Sequence, residues 1–489
     1  MSSSSKPSTQ RKLEEFMTKR DKSRRAKNVV PNKVQVAGIL ELPFELLSEI
    51  MQVALLLTVP SRDNNVGRMN YVTGLASICS RLRQVALKTP RLWILEYFDI
   101  LGYPLDAKTQ RFLERSRPCT FRVVITSPDF DEEDSDIDEE PGNVNLSDMV
   151  ASGFGDTMER WGELIATIHA TSELADLAAL PPGHLTNLSK LDFELVLVCE
   201  EAWVGPPLEL FSVAPRLSEA IIRLHRPRKP VSVLLPLPWS QLKHLTIQID
   251  NLNSIFEALV PCKNLVSLSL SVSLTIFDPP FTHSRLTLPI LEKLELHVLP
   301  IFQLDPLYPA LAALNLPALK RLDMDFGPDS ELWMPGQPGE LADALERFLS
   351  HHHTSTSFGV ENIGVTALLH ILRRLPRHIT ELTIVESEFP ELISDELLQA
   401  LSESTLVPSL ESLQFVGVTG ILKESMVLRM ILARWQAAAK LKRCRVDSQA
   451  GHIFTDEFCA KIRALQDEGF KWEYESKVQR LNSDTHCPW

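Results

Sequence analysis

Long apolar runs are missing from this 489-residue sequence: the longest, such as VALLLTV and FELVLVC, fall far short of the roughly 20 residues that span a bilayer. Positive charge is in short supply as well. Fifty Lys and Arg stand against 63 Asp and Glu, a net charge of −13, which argues against a general nucleic-acid binder, whose phosphate contacts demand a basic surface. Glycine is sparse at 19 residues, and no phosphate-cradling loop, dinucleotide fingerprint, nucleophile elbow or zincin helix occurs. The seven cysteines, at 79, 119, 199, 262, 444, 459 and 487, are scattered singly with no Cys-x-x-Cys pair, which removes the usual zinc-ligand spacing. Residues 1–37 contain no apolar core of a secretory signal, so the thiols are expected to be reduced and the protein cytoplasmic, nuclear or both. No catalytic residue, metal or cofactor is implied.

What is present is charge in blocks. Through Leu40 the chain carries ten basic residues against three acidic ones, a net of +7, expected to form a solvated tail or a nuclear import signal. Nine acids lie between Asp129 and Glu140; such a tract repels itself and is expected to loop out, lacking EF-hand spacing and its turn glycine. Ser135, followed by Asp136 and Asp138, resembles an acidophilic kinase site, and the tract could attract the basic tail through a salt-sensitive field. His351, His352 and His353 are expected to sit in a solvated loop, because adjacent side chains diverge from a helix end.

The most informative stretch runs from Ile39 to Trp93. Pro43 stands where a helix tolerates proline, and Leu46, Leu47, Ile50, Met51 and Ala54 follow at helical spacing. Leu75, Ile78, Cys79, Leu82, Val85 and Ala86 repeat the pattern up to Pro90, and the segment from Thr58 to Tyr71 reads as a loop. A helical unit of roughly 50 residues cannot bury this much apolar surface alone, so a partner is implied.

Beyond Trp93 a second pattern takes over. The form L-x-x-L-x-L starts at Leu188, Leu217, Leu242, Leu265, Leu291, Leu319, Ile379 and Leu410, at intervals of 29, 25, 23, 26, 28, 60 and 31 residues. The wide interval splits into 36 and 24 if STSFGV from Ser355 is a degenerate copy, and CTFRVVI from Cys119 reads as a weaker one. Leucines alternating along short strands point to one side, and stacked copies share one core. LNSIFEALVP, LADALERFLSHH, VTALLHILRRLP and ISDELLQALSES look helical, whereas RPRKPVSVLLPLP looks irregular. The predicted fold class is α/β: a small all-α module followed by an irregular leucine-rich-repeat horseshoe with parallel strands inside and helices and loops outside. The domain plan is 1–37 basic tail, 38–100 helical module, 101–185 linker and degenerate first repeat with the acidic loop 129–140, 186–445 repeats, and 446–489 cap and tail, where periodicity fades after Arg445. Recognition falls to the residues between the leucines on the concave side, and the most charged run there is Lys293, Glu295, His297, Arg321, Asp323 and Asp325, the candidate substrate-binding set.

Leu42-Pro43, Glu45-Leu46-Leu47, Glu49-Ile50, then Cys79, Arg81, Val85-Ala86, Pro90 and Leu92-Trp93 resemble the F-box, in the form common in mushroom-forming fungi. Joined to repeats, the module is similar to F-box leucine-rich-repeat proteins. That resemblance implies a non-catalytic adaptor in which the F-box binds the Skp-type adaptor of a cullin-based ubiquitin ligase and the repeats hold a protein substrate, with no nucleic acid or membrane as partner. It would carry over Leu42, Pro43, Leu46, Leu47, Ile50, Leu92 and Trp93 as adaptor-contacting. The alternative is a repeat scaffold whose helical module only caps the solenoid, with no ligase role.

Overall fold

A computed structural model describes residues 38–476, apart from 60–64, 96, 100–105, 127–153, 197–202, 204, 226–228, 250–251, 275–280, 284, 301–305, 328–337, 387–391, 420–421, 438–439 and 450–453. The basic tail, the acidic tract with Ser135, Cys199 and Cys487 lie outside the described residues.

The described residues open with a 3-10 turn at Ile39–Glu41 and three helices, α1 (Phe44–Thr58), α2 (Asn65–Ile78) and α3 (Ser80–Leu87), closed by a 3-10 turn at Pro90–Trp93. Two sequence expectations change here. The segment Thr58–Tyr71 is not all loop, because α2 already starts at Asn65. The second apolar stretch is also two helices rather than one: Cys79 is extended (φ −155°, ψ 166°) and caps α3, its Sγ accepting the Leu82 N–H at 3.4 Å. Trp93 then joins the module to the rest. Its indole N–H donates to the Ala86 carbonyl at 2.7 Å, and its ring meets Phe112 edge-on at 4.9 Å.

From there the polypeptide lays down one parallel sheet of 14 strands among the described residues. In chain order the strands are β1 (Phe98–Asp99), β2 (Phe121–Thr126), β3 (Trp161–Ile168), β4 (Lys190–Leu195), β5 (Glu219–Leu224), β6 (His244–Ile249), β7 (Ser267–Leu274), β9 (Lys293–Pro300), β11 (Arg321–Asp325), β12 (Ser357–Glu361), β13 (Glu381–Val385), β14 (Ser412–Val418), β15 (Arg443–Ser448) and β16 (Lys471–Ser476). The short β8 (Leu286–Thr287) and β10 (Leu314–Asn315) pair separately. Spatial order equals sequence order, so each copy contacts only its neighbours, which defines a solenoid.

All eight visible motif copies are strands, the Ser355 copy is β12 and the Cys119 copy is β2. Leucine stacks on leucine: Leu245, Leu268, Leu294 and Leu322 are successive register partners, followed by Phe358, Leu382 and Leu413. The second residue of each motif pins that register. Its carbonyl accepts the N–H groups of the second and third residues of the next copy, as Ser218 O does from Lys243 (2.8 Å) and His244 (3.0 Å), or Glu292 O from Lys320 (2.8 Å) and Arg321 (3.1 Å). One continuous apolar core runs beneath, from Leu47 to Phe470.

The return segments carry the expected helices, including Leu252–Leu259, Leu307–Ala313, Pro338–His351, Val365–Arg374, Asp395–Ser402, Glu424–Trp435 and Asp456–Asp467. Caps start several of them: Ser394 Oγ accepts the Leu397 N–H, and Thr455 Oγ1 the Phe458 N–H. The strand array is longer than 186–445. β1 and β3 flank the expected Cys119 copy, β2, before it, and β16 follows it, each pairing in parallel with its neighbour, with Trp161, Trp472 and Tyr474 filling positions that leucine fills elsewhere. The histidine run also differs from a solvated loop. His351 ends its helix, and His352 is buried, its Nδ1 within 2.7 Å of the Phe348 carbonyl and its Nε2 accepting the Leu316 N–H at 3.0 Å.

Candidate functional site

Helix α1 has two opposed apolar faces. Leu47, Met51 and Leu55, spaced four apart, are buried against the rest of the module. On the other side Leu46, Ile50, Val53 and Leu57 are spaced four, three and four apart, so they form one stripe along the helix. They are 51%, 40%, 51% and 78% exposed. Ile39 and Leu40, in the 3-10 turn just before the helix, are exposed too. The seven residues expected to contact an adaptor therefore divide. Leu46, Ile50 and Pro43 face outward, and Leu42 is half-buried. Leu47, Leu92 and Trp93 are sealed inside and hold the module together, which corrects their expected contact role. Val53, Leu56 and Leu57 complete the outward surface; helical spacing from Ile50 was the signal that could have found them.

The second surface is the open face of the sheet, where alternation lifts every other residue away from the core. On β9, β11, β12 and β13 the register sets up three rows: Lys293, Arg321, Ser357, Glu381; then Glu295, Asp323, Gly359, Thr383; then His297, Asp325, Glu361, Val385. All six residues picked from sequence thus line one depression of about 190 Å3, since neighbouring strands stand roughly 4.8 Å apart. Gly359 makes the depression. A Cβ there would lie 2.0 Å from Asp323 Oδ1, so the carboxylate leans into space that any other residue would fill. Gly359, Glu361 and Asn362 escaped the sequence reading because their copy lacks leucine altogether.

Electrostatics within the depression are internally matched. Lys293 pairs with Glu295, Arg321 Nε with Asp323 at 2.7 Å, and His297 Nδ1 with Asp325 at 3.0 Å. The hydrogen bond that His297 donates to Asp325 raises the His297 pKa above its ordinary value, against the opposing effect of burial. Burial alone would raise the Asp325 pKa, but His297, the Gly327 N–H and the Asn362 amide outweigh it and lower it. This arrangement can bind polar side chains by exchanging its own pairs; it contains no nucleophile–base pair. Among the described residues no group of three His, Cys, Asp or Glu could hold a metal ion, and no helix is long and apolar enough to cross a membrane. The described cysteines are free, and burial pushes the Cys262 and Cys444 thiols up to about 12.

No family model and no curated protein matches the sequence. Among solved structures, the chain is similar to one in the crystal structure of a TLR13–ssRNA13 complex, at 15% identity and a TM-score of 0.37, over 68% of this chain and 48% of that one. It thus spans about half the length of that neighbour. A protein from Bacteroides fragilis matches at 11% identity and a TM-score of 0.29, over 74% of this chain and 76% of that one. The leucine-rich-repeat architecture itself rests on strand order and on leucine stacked upon leucine in register.

The two surfaces meet at one end of the array. A cleft of about 770 Å3 separates the end of α1, with Leu56 and Val59, from the open-face residues Arg122, Glu163, Lys190 and Glu219. Its charged side is a ladder of ion pairs, Arg122 to Glu163 and Lys190 to Glu219, both at 2.7 Å.

Proposed function

We propose that the chain is the substrate-recognition subunit of a Skp–cullin–F-box ubiquitin ligase. In this reading the helical module docks on a Skp-type adaptor through Leu46, Ile50, Val53 and Leu57, with Ile39 and Leu40 beside them, and the open face around Gly359 takes the protein substrate. The observation that supports it is the second apolar face of α1. A helix whose inner face is already buried gains nothing in its own fold from four outward aliphatic side chains, and each contributes about 1.5–3 kcal/mol when fully buried against a partner. The work is positioning: holding a substrate lysine near a charged ubiquitin carrier raises the effective concentration of the reacting groups. The chain needs no catalytic residue of its own.

Co-expression with a Skp-type adaptor and size-exclusion chromatography tests the reading. The full chain is expected to co-elute one-to-one with the adaptor. Leu46→Asp with Ile50→Asp is expected to abolish co-elution without lowering the melting temperature, since both side chains leave the core untouched. Val233→Asp, at an exposed aliphatic residue on the array, is expected to co-elute like the parent. Equal recovery of the double variant would count against docking through α1. Absence of any complex would leave the broader reading, a repeat scaffold for protein interaction.

A further inference from the structure

A third concave feature lies on the helical side of the sheet, beside the β8–β10 pair. It encloses about 760 Å3, within the roughly 300–1,000 Å3 range of small-molecule sites. Arg285, Arg347 and His351 line it and are exposed, and His283 is half-buried. No carboxylate side chain is among the described residues that line it, which reverses the sign of a chain whose net charge is −13.

Neither arginine forms an ion pair among the described residues. Arg285 Nη2 donates to the Asn315 side chain at 2.9 Å, and Arg347 Nε donates to the Asp343 backbone carbonyl at 3.1 Å. Most of the five N–H donors of each guanidinium are therefore uncommitted. Both arginines line the same pocket, with His352 in its wall. Burial lowers its pKa, against the opposing hydrogen bond to the Phe348 carbonyl, and the neighbouring Arg285 and histidines add to the lowering. With both ring nitrogens engaged by Phe348 and Leu316, His352 is a neutral floor rather than a donor. His283 is held by aromatic contact, stacked on Phe256 at 6.1 Å. The remaining wall, with Leu311, Leu314 and Phe348, is apolar.

Guanidinium groups favour anions with several acceptor oxygens in fixed geometry. A phosphate monoester carries close to two charges and three acceptor oxygens, which matches two arginines flanked by two imidazoles better than a single carboxylate does. The apolar wall needs a second, uncharged part of the same ligand. From this combination we infer that the pocket binds a small phosphorylated molecule with an apolar body, its phosphate on Arg285 and Arg347 with His283 as a further donor, and its body against Leu311, Leu314 and Phe348. This site is separate from the docking helix and from the open face, and it stands whether or not the ligase reading does.

Calorimetry on the full chain with 1-naphthyl phosphate as the probe tests it. Saturable one-to-one binding is expected, weakened by added salt, with inorganic phosphate and 1-naphthol each binding less tightly than the joined molecule. Arg285→Gln and Arg347→Gln are each expected to weaken binding roughly tenfold. Because both side chains are exposed, melting curves should match the parent and separate lost binding from lost fold. Three results would overturn the assignment: no saturable binding, unchanged affinity in the double glutamine variant, or 1-naphthol binding as tightly as its phosphate. A phosphotyrosyl peptide binding more tightly than the free probe would overturn the small-molecule class.

Discussion

His297 and Asp325 show what single residues contribute on the open face. Asp325 holds the imidazolium, so the His297 pKa lies above its ordinary 6.5, while that of Asp325 lies below 3.8. Through His297, the stabilisation is fully present below the unfolded imidazole value and fades as pH rises through the folded one. Through Asp325, it is present above the unfolded carboxylate value and fades as pH falls through the folded one. The pair therefore acts between the two ranges. An NMR titration of the His297 ring is expected to give a midpoint above 6.5, and Asp325→Asn is expected to lower it; an unmoved midpoint in that variant would show that the carboxylate is not its partner. These side chains were legible in the sequence because strand alternation assigns each residue to a face by its position in the motif alone. The division of labour in the helical module was not. Leu46 and Leu47 are the same residue type one position apart, and only the packing of α1 against its neighbours decides which is buried.

At the scale of elements, Arg434 governs a joint between two repeats. It lies in the last turn of the helix Glu424–Trp435 and is almost wholly buried. Its guanidinium donates to the carbonyls of Leu401 (2.5 Å), Val407 (3.1 Å) and Leu406. Burial without a carboxylate partner lowers its pKa to about 10. Leu401 belongs to the last turn of the helix Asp395–Ser402, where unpaired carbonyls carry partial negative charge. Val407 has φ +46°, a backbone state that β-branched residues avoid, and Arg434 holds its carbonyl in place. Arg434→Ala would leave the Leu401 and Leu406 carbonyls short of a donor, while the Val407 carbonyl keeps the Leu410 N–H at 3.1 Å, at about 1–3 kcal/mol for each that water cannot reach. A loss of roughly 3 kcal/mol or more in chemical denaturation is therefore expected, with Arg434→Lys recovering part of it. A loss below about 1 kcal/mol would mean that water replaces the guanidinium. Nothing in the spacing of residues marks Arg434, since an arginine near a helix end reads as a surface charge. The strands that sequence missed failed for a different reason. β3 and β16 bury Trp161 or pack Trp472 and Tyr474 where leucine is expected, and β15 buries Cys444 and Val446, so the leucine pattern is absent although apolar volume is conserved.

For the molecule as a whole, neighbour-only contact means that stability accumulates along the array and that the two ends need covers. The helical module covers one end through Trp93, Leu95 and Phe98. At the other, the helix Asp456–Asp467 and β16 form an aromatic seal: Phe454 stacks on Phe458 at 4.6 Å and meets Trp472 and Tyr474 edge-on at 5.9 and 4.9 Å. The outermost strand also alternates Lys471, Glu473 and Glu475 on its polar face, with Arg443 paired to Glu473 at 2.7 Å, which blunts an edge that would otherwise template pairing with another chain. Truncation after Ser448 removes both devices and uncovers Leu441, Cys444 and Val446, which are fully buried in the full chain. The shortened protein is expected to self-associate in light scattering and to lose hydrogen-exchange protection in β14 and β15, while β4 to β7 keep theirs, because the array transmits stability only from neighbour to neighbour. Uniform loss of protection along the whole sheet would instead show that the solenoid unfolds as one cooperative unit, with the terminal seal holding every repeat and not just the last two.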